Sequence, residues 1–181
     1  MNNTIFITGT PCTGKTTISE VLSSKLNCKL IKINDLAIEN DFVLGIDDKK
    51  GYKIIDIDAL DEKVSEIISK SDELIIFEGH LAHLCSGADK VIVLRVNPNI
   101  LRPRLEARNY SESKIRENLE AEAMGVCTAE AFDEYGDKIS EIDVSKLSIE
   151  EAVNVISYVI EDKLDFPVGE VDFMVCLISN F

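Results

Sequence analysis

Residues 9–16 read GTPCTGKT and fit the pattern G-x-x-x-x-G-K-[S/T] at every position. Gly9 and Gly14 let a loop turn tightly and bring its backbone N–H groups close to a phosphate. Lys15 would reach the outer phosphates of a nucleotide, and the Thr16 hydroxyl would be a ligand of Mg²⁺. This stretch therefore predicts a loop that binds ATP together with Mg²⁺.

Glu78 and His80 follow a continuous apolar run, residues 74–77, that is typical of a strand buried in a parallel sheet. Ligands bind outside the carboxyl ends of such strands. Glu78 could therefore hold Mg²⁺, directly or through water, beside Thr16, and His80 could orient a water molecule or sense the nucleotide. The alternatives are a strand-end carboxylate that faces solvent and a structural histidine, which is how we interpret His83.

An arginine cluster stands out in this acidic chain: Arg95, Arg102, Arg104 and Arg108. The forked donors of arginine suit phosphate groups, and phosphoryl transfer needs positive charge at the transferring group with water kept out. Arg108 precedes residues 109–111, which we interpret as a hinge between two helices. This position would place Arg108 on a mobile lid, so we predict a functional role for it, whereas Arg102 fits a solvated helix face.

The elements that position these residues alternate along the chain. Apolar runs predict strands near residues 5–7, 29–33, 74–77, 90–96 and 139–144. Helical spacing predicts helices over residues 17–26, 58–70, 99–108, 111–135 and from 149 onward. The alternation predicts an α/β fold, a parallel five-stranded sheet with helices on both faces. Residues 34–57 are the least regular part, and the tail at 165–181 is either a docked strand or a disordered end.

Length and charge limit the possible classes of protein. The chain has 181 residues without a Pro/Gly-rich linker, which indicates one domain over residues 1–181. The formal net charge of −14 argues against broad nucleic-acid binding, because phosphate neutralisation needs a basic surface. The acidity fits either simple solubility or attraction of a basic protein partner.

Five cysteines occur without C-x-x-C spacing, which indicates reduced thiols in a cytoplasmic protein. A zinc site is not expected, because the chain has two histidines and no close cysteine pair. No apolar run approaches the roughly 20 residues that a membrane-spanning helix needs, so we expect no membrane association.

Several stretches taken together resemble the adenylate kinase isoenzyme 6 family in its archaeal form: GTPCTGKTT, DLAIEN, EGHLAHL, VIVLRVNPNILRPRLEARNY, ENLEAEA and SEIDVS. The resemblance runs from residue 1 to about residue 163. It implies a P-loop fold like that of nucleoside monophosphate kinases, with kinase activity that converts ATP and AMP into two ADP. It also implies ATPase activity and a role in small-ribosomal-subunit maturation and pre-rRNA processing, through transient binding of a basic ribosomal protein of the subunit platform.

The resemblance also assigns roles to individual positions. Residues 107–117 match a short lid and about 32–55 match the monophosphate-binding segment. Glu78 and His80 match the acidic-x-His motif, and both are predicted to be catalytic, as are Lys15 and Arg108. The predicted nucleotide-binding residues are Cys12, Thr13, Gly14, Lys15, Thr16, Thr17 and Arg108, and the predicted Mg²⁺ ligands are Thr16 and Glu78.

Two positions and one segment depart from the family pattern. Cys12 replaces the usual glycine, so its side chain is expected to point away from the phosphates, and Glu78 replaces the more usual aspartate. The segment at 32–55 contains no arginine. Its possible contacts to a monophosphate are Lys32, Lys49, Lys50 and Lys53. The resemblance therefore supports ATP binding more strongly than AMP binding.

Two further functions fit the same residues. One is a P-loop ATPase that remodels a ribosomal assembly intermediate and has little kinase activity. The other is a non-enzymatic module whose binding is gated by a nucleotide.

Overall fold

A parallel five-stranded sheet lies at the centre of the protein. The computed structural model describes residues 3–47 and 51–178. Its strands are β1 (Thr4–Thr8), β2 (Lys29–Lys32), β3 (Val43–Ile46), β4 (Lys53–Ile55), β5 (Ile75–Glu78), β6 (Lys90–Arg95) and β7 (Ile139–Asp143). The main sheet has the order β2-β5-β1-β6-β7 with parallel pairing, and β3 and β4 form a separate antiparallel hairpin. The predicted α/β fold with five parallel strands is confirmed.

Helices cover both faces of this sheet. They are α1 (Lys15–Leu26), α2 (Ile33–Glu39), α3 (Ile57–Ser69), α4 (Pro98–Glu106), α5 (Glu112–Ala123), α6 (Val126–Tyr135), α7 (Ile149–Ile160) and α8 (Met174–Ile178). Side chains of α1, α4, α5 and α7 share one core with Ile5 and Ile7, whereas α2, α3 and α6 share the other with Phe6. Successive residues of a strand point to opposite faces, so β1 contributes to both cores.

The predicted single helix over 111–135 is wrong, because the structure has two helices there, α5 and α6. The break lies at Gly125, whose φ of +67° is a left-handed backbone conformation. A Cβ atom at this position would lie 3.3 Å from Nη1 of Arg95. α5 and α6 pack into different cores, but Ala123 and Cys127 on either side of the break are both buried. The apolar spacing therefore continues across Gly125, and periodicity alone does not reveal the break.

The irregular stretch 34–57 contains more structure than its sequence indicates. Most of α2 and the hairpin of β3 and β4 lie in it, and the Asp56 side chain accepts a hydrogen bond from Ala59 N at the start of α3. Positions 49 and 50 lie outside the described residues. The short, partly exposed strands of the hairpin do not give the buried apolar runs that identify the central strands.

The tail is docked, but the described part of it, up to residue 178, forms no strand. Phe166 packs against the core that contains Ile5 and Ile7, and Phe173 is buried. The backbone N–H of Gly169 donates to the Glu141 carboxylate at 2.9 Å. Among the helices of the described ranges, none has the length and apolar character needed to cross a membrane.

Candidate active site

The loop between β1 and α1 is held tightly against the sheet. Gly9 has a φ of +137°, and a Cβ atom there would lie 2.4 Å from the backbone oxygen of Leu94 in β6. This position therefore requires glycine. Gly14 precedes α1, whose first residue is Lys15. The amino end of α1 consequently faces the loop, and such an end attracts anions through its unpaired N–H groups and its dipole.

The Lys15 ammonium lies across the loop. Its Nζ donates to the backbone oxygens of Gly9 and Thr10, each at 2.8 Å. Burial lowers the pKa of Lys15, and the nearby carboxylate of Glu78 opposes this shift. The geometry therefore holds a buried positive charge over the part of the loop where phosphate oxygens would bind.

Thr16 and Glu78 meet at the carboxyl end of β5. The Thr16 hydroxyl donates to Oε1 of Glu78 at 3.2 Å. Burial raises the pKa of Glu78, and the positive charge of Lys15 opposes the shift. These two oxygen donors fit Mg²⁺, which prefers hard oxygen ligands. Within residues 3–47 and 51–178 no cluster of three or more His, Cys, Asp or Glu side chains could hold a metal, so phosphate and water oxygens would complete the coordination.

His80 lies beside the start of the loop. Its Nδ1 is 3.1 Å from the backbone oxygen of Gly9, so Nδ1 carries the proton and donates, and Nε2 is left as an acceptor. Burial lowers the pKa of His80, and the charge of Lys15 lowers it further. The imidazole is therefore neutral near pH 7 and could accept a proton or a hydrogen bond through Nε2.

His83 differs from His80 in its surroundings. It is buried, with Nδ1 2.7 Å from the Thr8 hydroxyl and Nε2 3.1 Å from the Glu130 carboxylate. These contacts join β1 to α6, and His83 does not line the cavity described below. They agree with a structural interpretation of His83.

One cavity of about 900 Å³ gathers most of the predicted site residues. Its lining includes Cys12, Gly14, Lys15, Thr16, Thr17, Glu78, His80 and Arg108. Thr13 does not line it, because its side chain is buried and its hydroxyl donates to the Thr10 backbone oxygen at 3.0 Å. Cys12 has a φ of +67° and packs partly against the core. Glycine is favoured in this backbone conformation, which gives a physical reason for glycine as the usual residue there.

The arginine cluster separates into three environments. Arg104 and Arg108 both line the cavity, and Nη1 of Arg104 donates to the Cys12 backbone oxygen at 3.4 Å. Arg102 forms ion pairs with Glu106 and Glu112 at the surface, as expected for a solvated helix face. Arg95 is buried away from the cavity, so it is not part of the group of arginines that can meet a phosphate.

A clamp across the cavity mouth was not expected from the sequence. Nζ of Lys114 lies 4.1 Å from the ring centroid of Tyr52 and 4.2 Å from that of Tyr110. Nδ2 of Asn118 also lies 3.4 Å from the hydroxyl of Tyr52. Lys114 belongs to the amino end of α5, whereas Tyr52 precedes β4. Cation–π contacts therefore join the predicted lid to the predicted monophosphate-binding segment.

Comparison with known proteins gives the family. The family model described as "AAA domain" matches residues 5–125. A Methanothermobacter thermautotrophicus protein named "Putative adenylate kinase" is 42% identical over 169 residues, which cover 93% of this chain and 96% of that protein. The chain belongs to this archaeal adenylate kinase family. A Methanosarcina barkeri member with the same name is 44% identical over 158 residues, which cover 87% of this chain and 85% of that protein. The predicted family is confirmed.

Solved kinase structures share the fold of this adenylate kinase family member. Shikimate kinase from Acinetobacter baumannii, in complex with shikimate, superposes with a TM-score of 0.65 at 13% identity, over 91% of this chain and 97% of that one. Shikimate kinase from Bacteroides thetaiotaomicron gives 0.57 at 16% identity, over 89% and 99% of the two chains. At such low identity the likeness concerns the fold alone, and it confirms the predicted P-loop kinase fold.

Proposed function

We propose that the protein transfers the γ-phosphoryl group of ATP to a nucleoside monophosphate, which its family indicates is AMP, and releases two nucleoside diphosphates. The observation that carries this proposal is one continuous cavity that joins the phosphate loop to Tyr52 and Lys53 of segment 32–55. A volume of about 900 Å³ lies at the upper end of the range for ligand sites, which suits two substrates that must meet.

The predicted catalytic and metal-binding residues would divide the tasks of this reaction. Lys15 would hold the outer phosphates of ATP by charge, and Thr16 and Glu78 would hold Mg²⁺. Bound Mg²⁺ would neutralise negative charge on the phosphates. Arg108 brings a forked cation to the transferring group, and His80 orients a water molecule or hydroxyl through Nε2. Closure of residues 107–117 would keep bulk water out, which favours transfer over hydrolysis.

Within the described part of segment 32–55, the cation that a monophosphate would meet is a lysine rather than an arginine. Lys53 lines the cavity, whereas Lys32 donates to Glu20 at 2.6 Å on the surface. A lysine contacts phosphate as a point charge without the two parallel bonds that arginine can form. We therefore propose weaker binding of AMP than of ATP, and measurable ATP hydrolysis when no monophosphate is bound. We place this activity in the cytoplasm, where free thiols such as those of Cys85 and Cys127 persist.

The decisive experiment measures ADP formed from Mg-ATP alone and with each monophosphate in turn. We expect AMP to increase ADP production. We also expect the transfer reaction to consume one AMP for each ATP. Hydrolysis that no monophosphate accelerates would refute the kinase proposal in favour of an ATPase assembly factor. Absence of any turnover with intact nucleotide binding would favour the non-enzymatic binding module.

A second proposed function is transient binding of a basic ribosomal protein during small-subunit maturation. The observation that favours it is a row of exposed carboxylates on α6: Glu130, Asp133 and Glu134. Other acidic residues of this region, Glu122 and Glu141, are buried and do not contribute to such a surface. Exposed charge steers a basic partner and is screened by salt. We expect association at low salt that weakens steeply as salt rises, and no association at low salt would remove this function.

A further inference from the structure

Glu122 is a buried carboxylate that none of the tasks above uses. It is 1% exposed and lies at the carboxyl end of α5. Its Oε1 accepts from Arg95 Nε and from the backbone N–H of Val96, both at 2.9 Å. Its Oε2 accepts from the hydroxyl of Thr10. Both carboxylate oxygens are therefore occupied, one by β6 and the other by the phosphate loop.

Arg95 holds Glu122 in place through several hydrogen bonds. Its guanidinium also donates to Glu141 of β7 and, through Nη2, to the backbone oxygen of Glu122 at 2.6 Å. The Thr128 hydroxyl donates to the same Glu141 carboxylate at 2.8 Å. A buried charge with this many partners has one well-defined position, because any displacement leaves a desolvated group without its bond.

Thr10 connects this rigid frame to the nucleotide-binding residues. Its hydroxyl binds Glu122, and its backbone oxygen accepts from Lys15 Nζ at 2.8 Å and from the Thr13 hydroxyl at 3.0 Å. The position of Glu122 therefore sets where Thr10 lies, and the backbone oxygen of Thr10 in turn helps to fix the position of the Lys15 ammonium.

We propose that Glu122 is a positioning residue for phosphoryl transfer, which acts through Thr10 on the phosphate loop and Lys15. This inference rests on the proposed kinase function. Misplacement of reacting groups by about 1 Å can cost about a hundredfold in rate, so a loop released at Thr10 loses turnover while the fold persists. Since α5 begins within the predicted lid and carries Glu122 in its last turn, the same helix joins the lid to the loop.

Glu141 supplies a matched control. It is also buried and also accepts from Arg95, but its other side-chain partners are Thr128 of α6 and Gly169 of the tail rather than the loop. Glu122→Gln and Glu141→Gln each leave Arg95 one carboxylate, so both should lower the melting temperature to a similar degree. A purely structural role of the buried ion pairs would give both variants similar kinetics.

The experiment compares Glu122→Gln and Thr10→Val with Glu141→Gln and Thr10→Ser. We expect kcat to fall about tenfold or more in the first two variants, with a smaller change in the KM for ATP. Thr10→Ser keeps the hydroxyl and should restore most of the turnover that Thr10→Val loses, whereas Glu141→Gln should stay within about threefold of the wild type. Thr10→Val leaves all three buried charges in place, so it tests the proposal even if Glu122→Gln does not fold.

Hydrogen–deuterium exchange of a peptide that covers residues 9–14 gives a readout independent of turnover. We expect faster exchange in Thr10→Val than in the wild type, Thr10→Ser or Glu141→Gln. Kinetic losses that follow the melting temperature across all four variants, or unchanged exchange of the loop in Thr10→Val, would overturn the positioning role. A wild-type protein that transfers no phosphoryl group would refute the kinase function, whereas the exchange result would still decide whether Glu122 holds the loop.

Discussion

Replacement of Lys15 by methionine should separate catalysis from folding. Methionine keeps the unbranched stem and its packing but removes the charge. The two hydrogen bonds of the ammonium contribute roughly 1.5–3 kcal/mol each, whereas burial of the charge costs several kcal/mol. The two carbonyl oxygens that Lys15 contacts keep other donors, since Gly9 O accepts from His80 and Thr10 O from Thr13. These opposing contributions nearly cancel.

We therefore expect the free energy of unfolding of Lys15→Met without nucleotide to change by less than about 2 kcal/mol. The rate should respond far more strongly. Loss of one well-placed donor at a developing charge costs about 10²–10³ in kcat, or about 2.7–4 kcal/mol. The protein should thus remain folded and become nearly inactive.

The assay is ADP production from ATP and AMP, with urea unfolding of the same samples. Lys25→Met is the control, because Lys25 is exposed on the same helix and donates to Asn154 rather than to the loop. It should retain wild-type turnover. A Lys15→Met rate within about tenfold of the wild type would refute the assignment of Lys15 to the outer phosphates. If Lys15→Met instead lowers the free energy of unfolding by much more than about 2 kcal/mol, Lys15 is a structural residue.

Four further changes test other parts of the site. Cys12→Gly should raise the melting temperature by about 2 °C, because a left-handed backbone costs a non-glycine residue about 1 kcal/mol and lost thiol burial offsets part of the gain; turnover that collapses would reveal a role for the thiol. Arg108→Ala should lower kcat by about 10²–10³ and weaken ATP binding less, with incomplete rescue by lysine, and equal losses in rate and binding would make it a ground-state contact. Lys114→Met should raise the KM of both nucleotides severalfold, and unchanged KM values would show that the clamp does not hold the lid. Burial lowers the pKa of His80 and His83 in the folded state, so the unfolded chain binds more protons below about pH 6.5. The free energy of unfolding, measured by urea titration, should therefore reach its full value above that pH and decrease as the pH drops through it. The decrease should be smaller in a His83→Gln variant.

The phosphate loop could be predicted from the sequence because all its determinants are contiguous. Gly9, Gly14, Lys15 and Thr16 lie within eight positions, and their spacing alone sets a turn that ends at a helix. The signals for the buried strands are equally local, since continuous apolar runs such as 74–77 and 91–94 are typical of a sheet covered on both faces. Glu78 followed from the same run, because a residue that ends a buried parallel strand must emerge at the ligand-binding edge.

The roles of single charged residues depended on the tertiary structure. Arg95 lies in the arginine-rich stretch and could not be told from Arg108 by type or spacing, yet the first is buried between two carboxylates and the second lines the cavity. Glu122 and Glu141 likewise cannot be told from surface acids by type or spacing. Their shared partner Arg95 lies 27 and 46 residues away in the sequence, and pairing over such distances is decided by how β6, β7 and α5 pack.

The same reason explains the other features that the sequence left open. The break at Gly125 follows from its close approach to Arg95, and the clamp of Lys114 between two tyrosines needs the hairpin segment to lie opposite α5. Local pattern determines which segments become helices, strands and loops, because backbone preferences and apolar spacing act over a few residues. Which charges are buried together, and which face a ligand, is determined only when those segments pack.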